Sequence, residues 1–428
     1  MQNVKLFITG ATGFIGRRLC EVIPEKGFAV RPALRRALDT DGIVVGDLGP
    51  ATDWSAGLNG VDAVVHLAAR VHVMVDKAGD PLAEFRRVNV AGTLNLARQA
   101  AGAGVKRLVF LSSVKVNGEA TEFGRPFTVQ DAPAPQDPYA ISKFEAEQGL
   151  RQVEKETGLE VVIIRPPLVY GPGVKANFLR LMQAVQKGLP LPLGLVRNRR
   201  SMVALDNLVD LIGVCLEHPA AGGQTFLVSD GEDLSTPELI RRLAQAMGKK
   251  ARLLPVPPAL LRLGGSVIGK RAEVERLIGS LQVDIGHTCE KLGWRPVISV
   301  DEAIRRCVGE SVSQLRRCGD AGIMEIDFGK IQDIVRNDQH RLTLHAVERL
   351  IERNIQPTEI KEAILNGEII ESYPDDKYGP SCLVSGISHR RKALHVQCSV
   401  DPVWIITAYD PALSPGRWDK NFKKRKSE

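Results

Sequence analysis

No Cys-x-x-Cys pair occurs anywhere in the 428 residues, and the seven cysteines, Cys20, Cys215, Cys289, Cys307, Cys318, Cys382 and Cys398, are scattered and odd in number. That argues against a disulfide framework and for free thiols in a reducing compartment. No apolar run approaches the ~20 residues needed to span a bilayer. The N-terminus runs straight into a strand pattern, so a cytoplasmic protein without membrane insertion is expected. Internal repeats and low-complexity tracts are also missing, and no metal site is expected. Charge is nearly balanced, with 57 basic against 50 acidic residues. From Met324 onward there are 16 of each, so the whole excess of seven falls in residues 1–323. An excess of that size suits phosphorylated small ligands and does not argue for nucleic acid there.

What is present begins at the N-terminus. Val4 to Thr9 reads as a buried strand, Gly10-Ala11-Thr12-Gly13-Phe14-Ile15-Gly16 as a turn, and Arg17 to Ile23 as a helix. In that context Gly10 permits a tight bend, Gly13 lets backbone approach a pyrophosphate, and Gly16 lets helix pack on strand. Downstream stands Tyr139-Ala140-Ile141-Ser142-Lys143. Four residues apart on a helix, Tyr139 and Lys143 share a face about one turn from each other. A nearby ammonium favours the phenolate, so Lys143 is expected to lower the tyrosine pKa toward working pH and make it a general acid/base. Asp137 suits the N-cap of that helix and Pro138 its first position. Arg107 to Leu111 reads as another buried strand that ends at Ser112-Ser113, where a doubly wound sheet opens its carboxyl-end crevice. Ser113 can there hydrogen-bond a substrate hydroxyl.

On these motifs, and on Val65-His66-Leu67-Ala68-Ala69, Asn89-Val90 before Gly92-Thr93, and Arg165-Pro166-Pro167-Leu168-Val169-Tyr170-Gly171-Pro172, residues 1 to about 306 resemble the extended short-chain dehydrogenase/reductases, in their nucleotide-sugar epimerase and dehydratase branch. The resemblance implies an α/β fold, a Rossmann-like doubly wound parallel sheet with a smaller, interleaved substrate-binding subdomain. It makes Ser113, Tyr139 and Lys143 the catalytic set. Gly10, Thr12, Gly13, Phe14, Ile15, Gly16, Arg35, Asp47, Leu48, Ala68, Asn89 and Pro166 are the cofactor candidates. Within that set Asp47-Leu48 would flank the adenine, Ala68 would line the dinucleotide and Asn89 would support the active-site hydrogen bonds. Lys143 would also hold the nicotinamide ribose. Asn177, Arg200 and Arg276 are the substrate-binding candidates. Arginine suits a diphosphate because its fork pairs two oxygens, although Arg276 fits the family spacing less well and reads more simply as surface.

Dehydratases of this branch carry an acidic pair soon after the catalytic serine or threonine, whereas here the stretch is Ser113-Val114-Lys115-Val116-Asn117-Gly118. The expected chemistry is therefore 4-epimerization, or reduction of a 4-keto sugar. Val71-His72-Val73-Met74 together with Ser113 to Glu119 resembles enzymes that handle UDP-N-acetylated hexosamines in surface-polysaccharide synthesis, which implies such a substrate. The cofactor is NAD or NADP. Arg35-Arg36 at the end of the second strand, where an acid would meet a ribose 2′-hydroxyl, leans toward NADP. A homodimer is compatible with the family. The competing reading is a dinucleotide-binding sensor or scaffold whose appended module does the work.

The organisation expected is a reductase-like part over 1–313, with its Rossmann core mainly in 1–165 and its substrate part mainly in 166–313. A linker follows over 314–323, and a small α+β domain over 324–428. In the latter, two helices, His340 to Arg353 and Pro357 to Leu365 ended by Gly367, precede strands around Leu383-Val384, Leu394 to Val400 and Val403 to Tyr409. This part resembles a bacterial domain of uncharacterised function with kinship to messenger-RNA-cleaving toxins. The resemblance would give His345, Arg349, Arg353 and His395 acid/base and phosphate-binding roles and set Lys423 to Lys426 along an RNA backbone. The alternation of Arg349 and Arg353 with Glu348 and Glu352 suits a solvated helix face equally well.

Overall fold

The computed structural model describes residues 4–37, 42–71, 80–267, 269, 271–309, 326–373, 380–400, 403–413, 418 and 422. The chain divides into two compact units, Met1–Ser311 and Val312–Glu428. Among the described residues no helix is long and apolar enough to cross a membrane.

The first unit is built on strands β1 (Val4–Thr9), β2 (Phe28–Leu34), β3 (Ile43–Val44), β4 (Ala63–His66), β5 (Arg107–Leu111), β6 (Glu160–Arg165) and β9 (Thr225–Leu227), with β7 (Leu168–Tyr170) and β8 (Met202–Ala204) forming a separate pair. The seven-stranded sheet has the order β3-β2-β1-β4-β5-β6-β9, and every pairing in it is parallel. Parallel strands covered on both faces read as continuous apolar runs, and β4 and β6 do so. Because side chains alternate along a strand, Leu6 and Ile8 join Val65, Val109 and Ile164 on one face with Leu208 and Ile212, while Phe7, Val64, Leu108 and Phe110 join Leu96 and Leu150 on the other. The order reverses around β1, which pairs with β2 on one side and β4 on the other. That switch point fixes where a crevice opens at the carboxyl ends.

Helices α1 (Phe14–Val22), α2 (Gly92–Gly102), α3 (Pro138–Thr157) and α4 (Leu205–Glu217) cover the sheet. Further along, α5 (Pro258–Val267) and α6 (Arg271–Ile278) pair with each other. A last helix over 300–309 ends the described part of this unit.

The second unit has a five-stranded sheet of order β10-β14-β13-β12-β11: β10 (Arg341–Leu342), β11 (Glu368–Tyr373), β12 (Ser381–Ile387), β13 (Ala393–Ser399) and β14 (Trp404–Tyr409). Its helices are α7 (Phe328–Arg336), α8 (Leu344–Glu352) and α9 (Pro357–Leu365). Three of these elements, α7, β10 and β11, go beyond the sequence reading, and α8 starts four residues later than read because Arg341 and Leu342 pair with Trp404 and Ile405. Ala346 and Leu350 enter the core as read, but Val347 is 37% exposed. Helix α9 ends at Leu365 as read, with Asn366 as its C-cap and Gly367 directly after it. A Cβ on Gly367 would lie 2.7 Å from the Ser385 carbonyl oxygen, so glycine there admits the neighbouring strand.

Candidate active site

The turn after β1 is the first wall. Gly10 has φ +70°, and a Cβ there would stand 2.8 Å from the Ala68 nitrogen. A Cβ on Gly16 would stand 2.1 Å from the Gly10 carbonyl oxygen. Glycine is a steric requirement at both positions, at Gly10 where the turn meets the loop after β4 and at Gly16 where α1 packs on its own turn. Gly13 is the N-cap of α1 with no side-chain cap, and the first turn of α1 holds no acid. Its leading N–H groups and the positive end of the helix therefore face outward, which suits a phosphate. Arg17 Nε donates to the Thr12 carbonyl at 2.9 Å and sets a cation on the turn, a feature the sequence reading passed over. Thr12 is exposed, and Phe14 and Ile15 are half-buried. These residues fit a dinucleotide pyrophosphate.

Neighbouring loops complete that wall. Buried His66 bridges Thr9 Oγ1 at 2.6 Å and Thr93 Oγ1 at 2.9 Å, and burial drives its pKa down to about 3, so the ring is a neutral strut. Thr9 Oγ1 accepts from the Ala68 nitrogen at 3.2 Å. Asn89, also buried, accepts from the Arg70 nitrogen, donates to the Arg70 carbonyl, and donates to Ser142 Oγ at 3.0 Å. Ser142 Oγ in turn donates to the Tyr139 carbonyl. Asn89 thus ties the loop after β4 to the helix that carries the tyrosine. Leu48 packs on Gly92, where a Cβ would meet its side chain at 3.1 Å. Asp47 and Arg35 are both largely exposed and stand 3.5 Å apart. Pro166 is buried, and its carbonyl accepts from the Val114 nitrogen at 3.0 Å.

The second wall carries Ser113, Tyr139 and Lys143. Asp137 caps α3 as read, its Oδ1 accepting from the Ala140 nitrogen at 2.7 Å, with Pro138 opening the helix. Lys143 is buried and its Nζ donates to the Leu111 carbonyl at 2.8 Å, pinning α3 to the end of β5, two residues before Ser113. Phe110 lies under the same ammonium, 4.4 Å from its ring centre. Ser113 is half-buried and its Oγ accepts from the Lys115 nitrogen at 3.3 Å. Lys115 Nζ then reaches Asp137 Oδ2 at 2.5 Å and Glu119 at 3.3 Å. That ion pair fastens the turn bearing Ser113 to the cap just before Tyr139. Behind it, Glu147 accepts from Ser112 Oγ at 2.5 Å and from both sides of the Arg165 fork, while Arg165 also donates to Asn117. Glu147 and Arg165 are both buried, a paired network that fixes the Ser112-Ser113 backbone from beneath. Lys115, Glu147 and Arg165 were not singled out as site residues from the sequence.

The electrostatics differ from the sequence expectation. The Tyr139 phenol is raised to about 12, first by burial and then by Asp137. The Lys143 ammonium is lowered to about 7 by burial, with Glu147 acting against the shift. Desolvation disfavours both charged forms, and it outweighs the attraction that the i, i+4 spacing suggested. Tyr139 is therefore a protonated donor in this state, beside a lysine poised near neutrality.

The substrate candidates separate into two places. Asn177 is exposed in the first turn of the helix Ala176–Gln186. Arg200 Nη1 donates to the Arg276 carbonyl at 2.8 Å and the Gly279 carbonyl at 3.1 Å. Burial lowers the Arg200 pKa, and the nearby Arg276 lowers it further. The Arg276 guanidinium is exposed, in keeping with its surface reading, and its backbone carbonyl is what meets Arg200.

In the second unit the side chains proposed for RNA chemistry end on structure. His395 is fully buried, between Tyr409 Oη at 3.1 Å and the Phe422 carbonyl at 2.7 Å. Arg353 Nη1 donates to the Ala408 carbonyl at 2.7 Å, and Arg349 pairs with Glu352 at 2.8 Å. The His345 side chain and Lys423 to Lys426 lie outside the described residues.

Comparison with known proteins follows the same division. A model of the NAD dependent epimerase/dehydratase family matches residues 6–229, and a domain of unknown function, DUF4258, matches residues 342–410. Over 306 residues the chain is 50% identical to a UDP-glucose 4-epimerase of Vibrio cholerae, covering 70% of this chain and 93% of that protein. It is 30% identical over 270 residues to the N-acetyl-alpha-D-glucosaminyl-diphospho-ditrans,octacis-undecaprenol 4-epimerase of Escherichia coli O157:H7, covering 62% of this chain and 78% of that one. The crystal structure of a Thermotoga maritima UDP-glucose 4-epimerase with UDP-glucose superposes with a TM-score of 0.59 at 22% identity, over 73% of this chain and 100% of that one. At that identity the superposition speaks to the fold alone.

Proposed function

Because the chain belongs to the NAD dependent epimerase/dehydratase family, we propose that it is a nucleotide-sugar oxidoreductase that inverts C4 of a UDP-N-acetylhexosamine, feeding surface-polysaccharide synthesis. The observation that carries this reading is that Lys143 bonds the Leu111 carbonyl two residues before Ser113, while Lys115–Asp137 joins the turn of Ser113 to the cap just before Tyr139. The 50% identity to a protein described as a 4-epimerase supports epimerization over reduction. Val114, buried, and Lys115, paired with Asp137, occupy the positions where a dehydratase places its acids.

In this reading the Gly10–Gly16 turn and the α1 N-terminus hold the pyrophosphate of NAD or NADP, Ala68 and Asn89 line and brace its site, and Lys143 reaches the ribose. Arg35, at the end of β2, suits a 2′-phosphate and leans the choice toward NADP. When bound, the nicotinamide supplies the hydride chemistry. Tyr139 Oη moves the proton of the sugar C4 hydroxyl, Ser113 Oγ orients that oxygen, and Lys143 steadies the phenolate. Arg200 and Arg276 pair with the diphosphate, and Asn177 contacts the nucleotide end.

The test is incubation of purified protein with UDP-N-acetylglucosamine and no added reductant. Appearance of the C4 epimer, absent with Tyr139→Phe, supports the reading. Oxidation of NADPH by a 4-keto sugar with no epimer formed replaces it by a reductase. Silence of wild type in both assays favours a dinucleotide-binding sensor.

A further inference from the structure

Two stretches of the first unit, 187–200 and 249–278, hold eleven lysines and arginines against two glutamates. Their excess of nine exceeds the net charge of the whole chain, +7. The same stretches display Leu189, Leu195, Leu254, Leu260, Leu263 and Leu277, each between 40% and 63% exposed. Single exposed leucines are ordinary. Six leucines on segments that touch, set among cations, make a patch of the kind that meets a partner.

The segments do touch. Leu191 bridges Leu253, the Leu254 nitrogen donates to the Leu191 carbonyl at 2.8 Å, and the Gly194 nitrogen donates to the Leu254 carbonyl at 2.9 Å. Helix α5 follows directly and presents Leu260 and Leu263, three apart, on one side. Helix α6 folds back along it through Arg262–Glu275 at 3.1 Å, and a Cβ on Gly265 would lie 2.7 Å from Val274. Leu277 then follows Arg276, whose carbonyl holds Arg200.

We infer that this face is a docking surface for an anionic lipid bilayer, with the leucines of α5 entering the headgroup boundary and the surrounding lysines and arginines meeting lipid phosphates. Apolar side chains on one side of a short helix, with cations around them, are what interfacial binding requires. The charge selects the occupant: a second copy of the chain would bring the same excess of nine against itself, whereas an anionic membrane neutralises it. Docking sets Arg276, next to exposed Leu277, close to the lipid phosphate plane; on the proposed function, a sugar diphosphate anchored in the membrane would then reach the same arginines as a soluble one. The docking goes beyond the C4 chemistry and stands without it.

The experiment is flotation of the full-length protein with phosphatidylcholine vesicles, with and without phosphatidylglycerol. The expected result is binding only to the anionic vesicles, released when salt rises from about 0.1 to about 0.5 M. Leu260→Asp with Leu263→Asp lowers the bound fraction about tenfold or more, while turnover of soluble UDP-sugar in vesicle-free buffer is unchanged. Lys250→Glu with Arg252→Glu, away from α5, gives a similar loss, and Val297→Asp, at an exposed residue outside both stretches, gives none. No flotation of wild type, or flotation that survives both double variants, overturns the proposal. So does a dimer in solution that the leucine variants split while vesicle binding is nil.

Discussion

The two units use the same polar residue types to opposite ends. In the first, Lys143, Glu147 and Arg165 are buried: Lys143 holds Leu111, Glu147 holds Ser112, and Arg165 holds Glu147. In the second, His395 and Arg353 hold Phe422, Tyr409 and Ala408, and the groups that touch them are parts of the same fold. A histidine or arginine is thus not a functional sign by its presence. What distinguishes the two units is what these bonds fasten: the end of β5 and the helix of Tyr139 in the first, and strand, ring and chain-end groups of the same sheet in the second.

That contrast can be broken by substitution, beginning with the largest effect. Tyr139→Phe is expected to lower kcat by about 10²–10⁴-fold with little change in melting temperature, because the proposed general acid/base is lost and a half-buried ring is kept. Equal losses of rate and stability would count against it. Glu147→Gln leaves Arg165 buried without its counter-charge and should cost about 3–5 kcal/mol in denaturant titration, with the loss located in the first unit. His395→Phe takes a partner from Tyr409 and from the Phe422 carbonyl, and should cost about 1–3 kcal/mol in the second unit while sugar turnover stays unchanged. Arg349→Ala, on a solvated pair, should cost no more than about 1 kcal/mol. A loss of turnover in either of the last two would erase the distinction between the units.

Lys143→Met sharpens it further through pH. The lysine titrates near 7 when folded and near 10.5 when free, so the unfolded chain binds the extra proton between those values. Its burial therefore penalises the fold fully below about pH 7, and the penalty fades as pH climbs toward 10.5. Melting temperatures of the methionine variant should exceed wild type most at neutral pH and least at high pH, although activity is lost. A difference independent of pH would show that the buried ammonium carries no such penalty.

Local signals made much of the first unit readable. Asp137-Pro138, the glycine turn and the apolar runs of β1, β4, β5 and β6 each act within a few residues of themselves. The pairing of Arg200 with Arg276 joins positions 76 apart, and Arg165 reaches Glu147 and Asn117 across 18 and 48, so no spacing rule displays them. The tyrosine pKa went the other way from its helix spacing because burial is a property of the assembled fold. In the second unit α7 was readable and passed over, since Asp327 caps it and Ile331 and Val335 repeat at four. Strand β11 was not readable in this way: its pairing with β12 shifts register between Ile369 and Glu371, which breaks the alternation of a regular strand.

The Lys115–Asp137 link has a mechanical consequence. It makes the two hydroxyl-bearing positions ride as one block, so that widening of the cleft separates them together from the phosphate-holding turn and not from each other. On the proposed C4 chemistry, a sugar would then turn between half-reactions with Ser113 and Tyr139 held in register to each other.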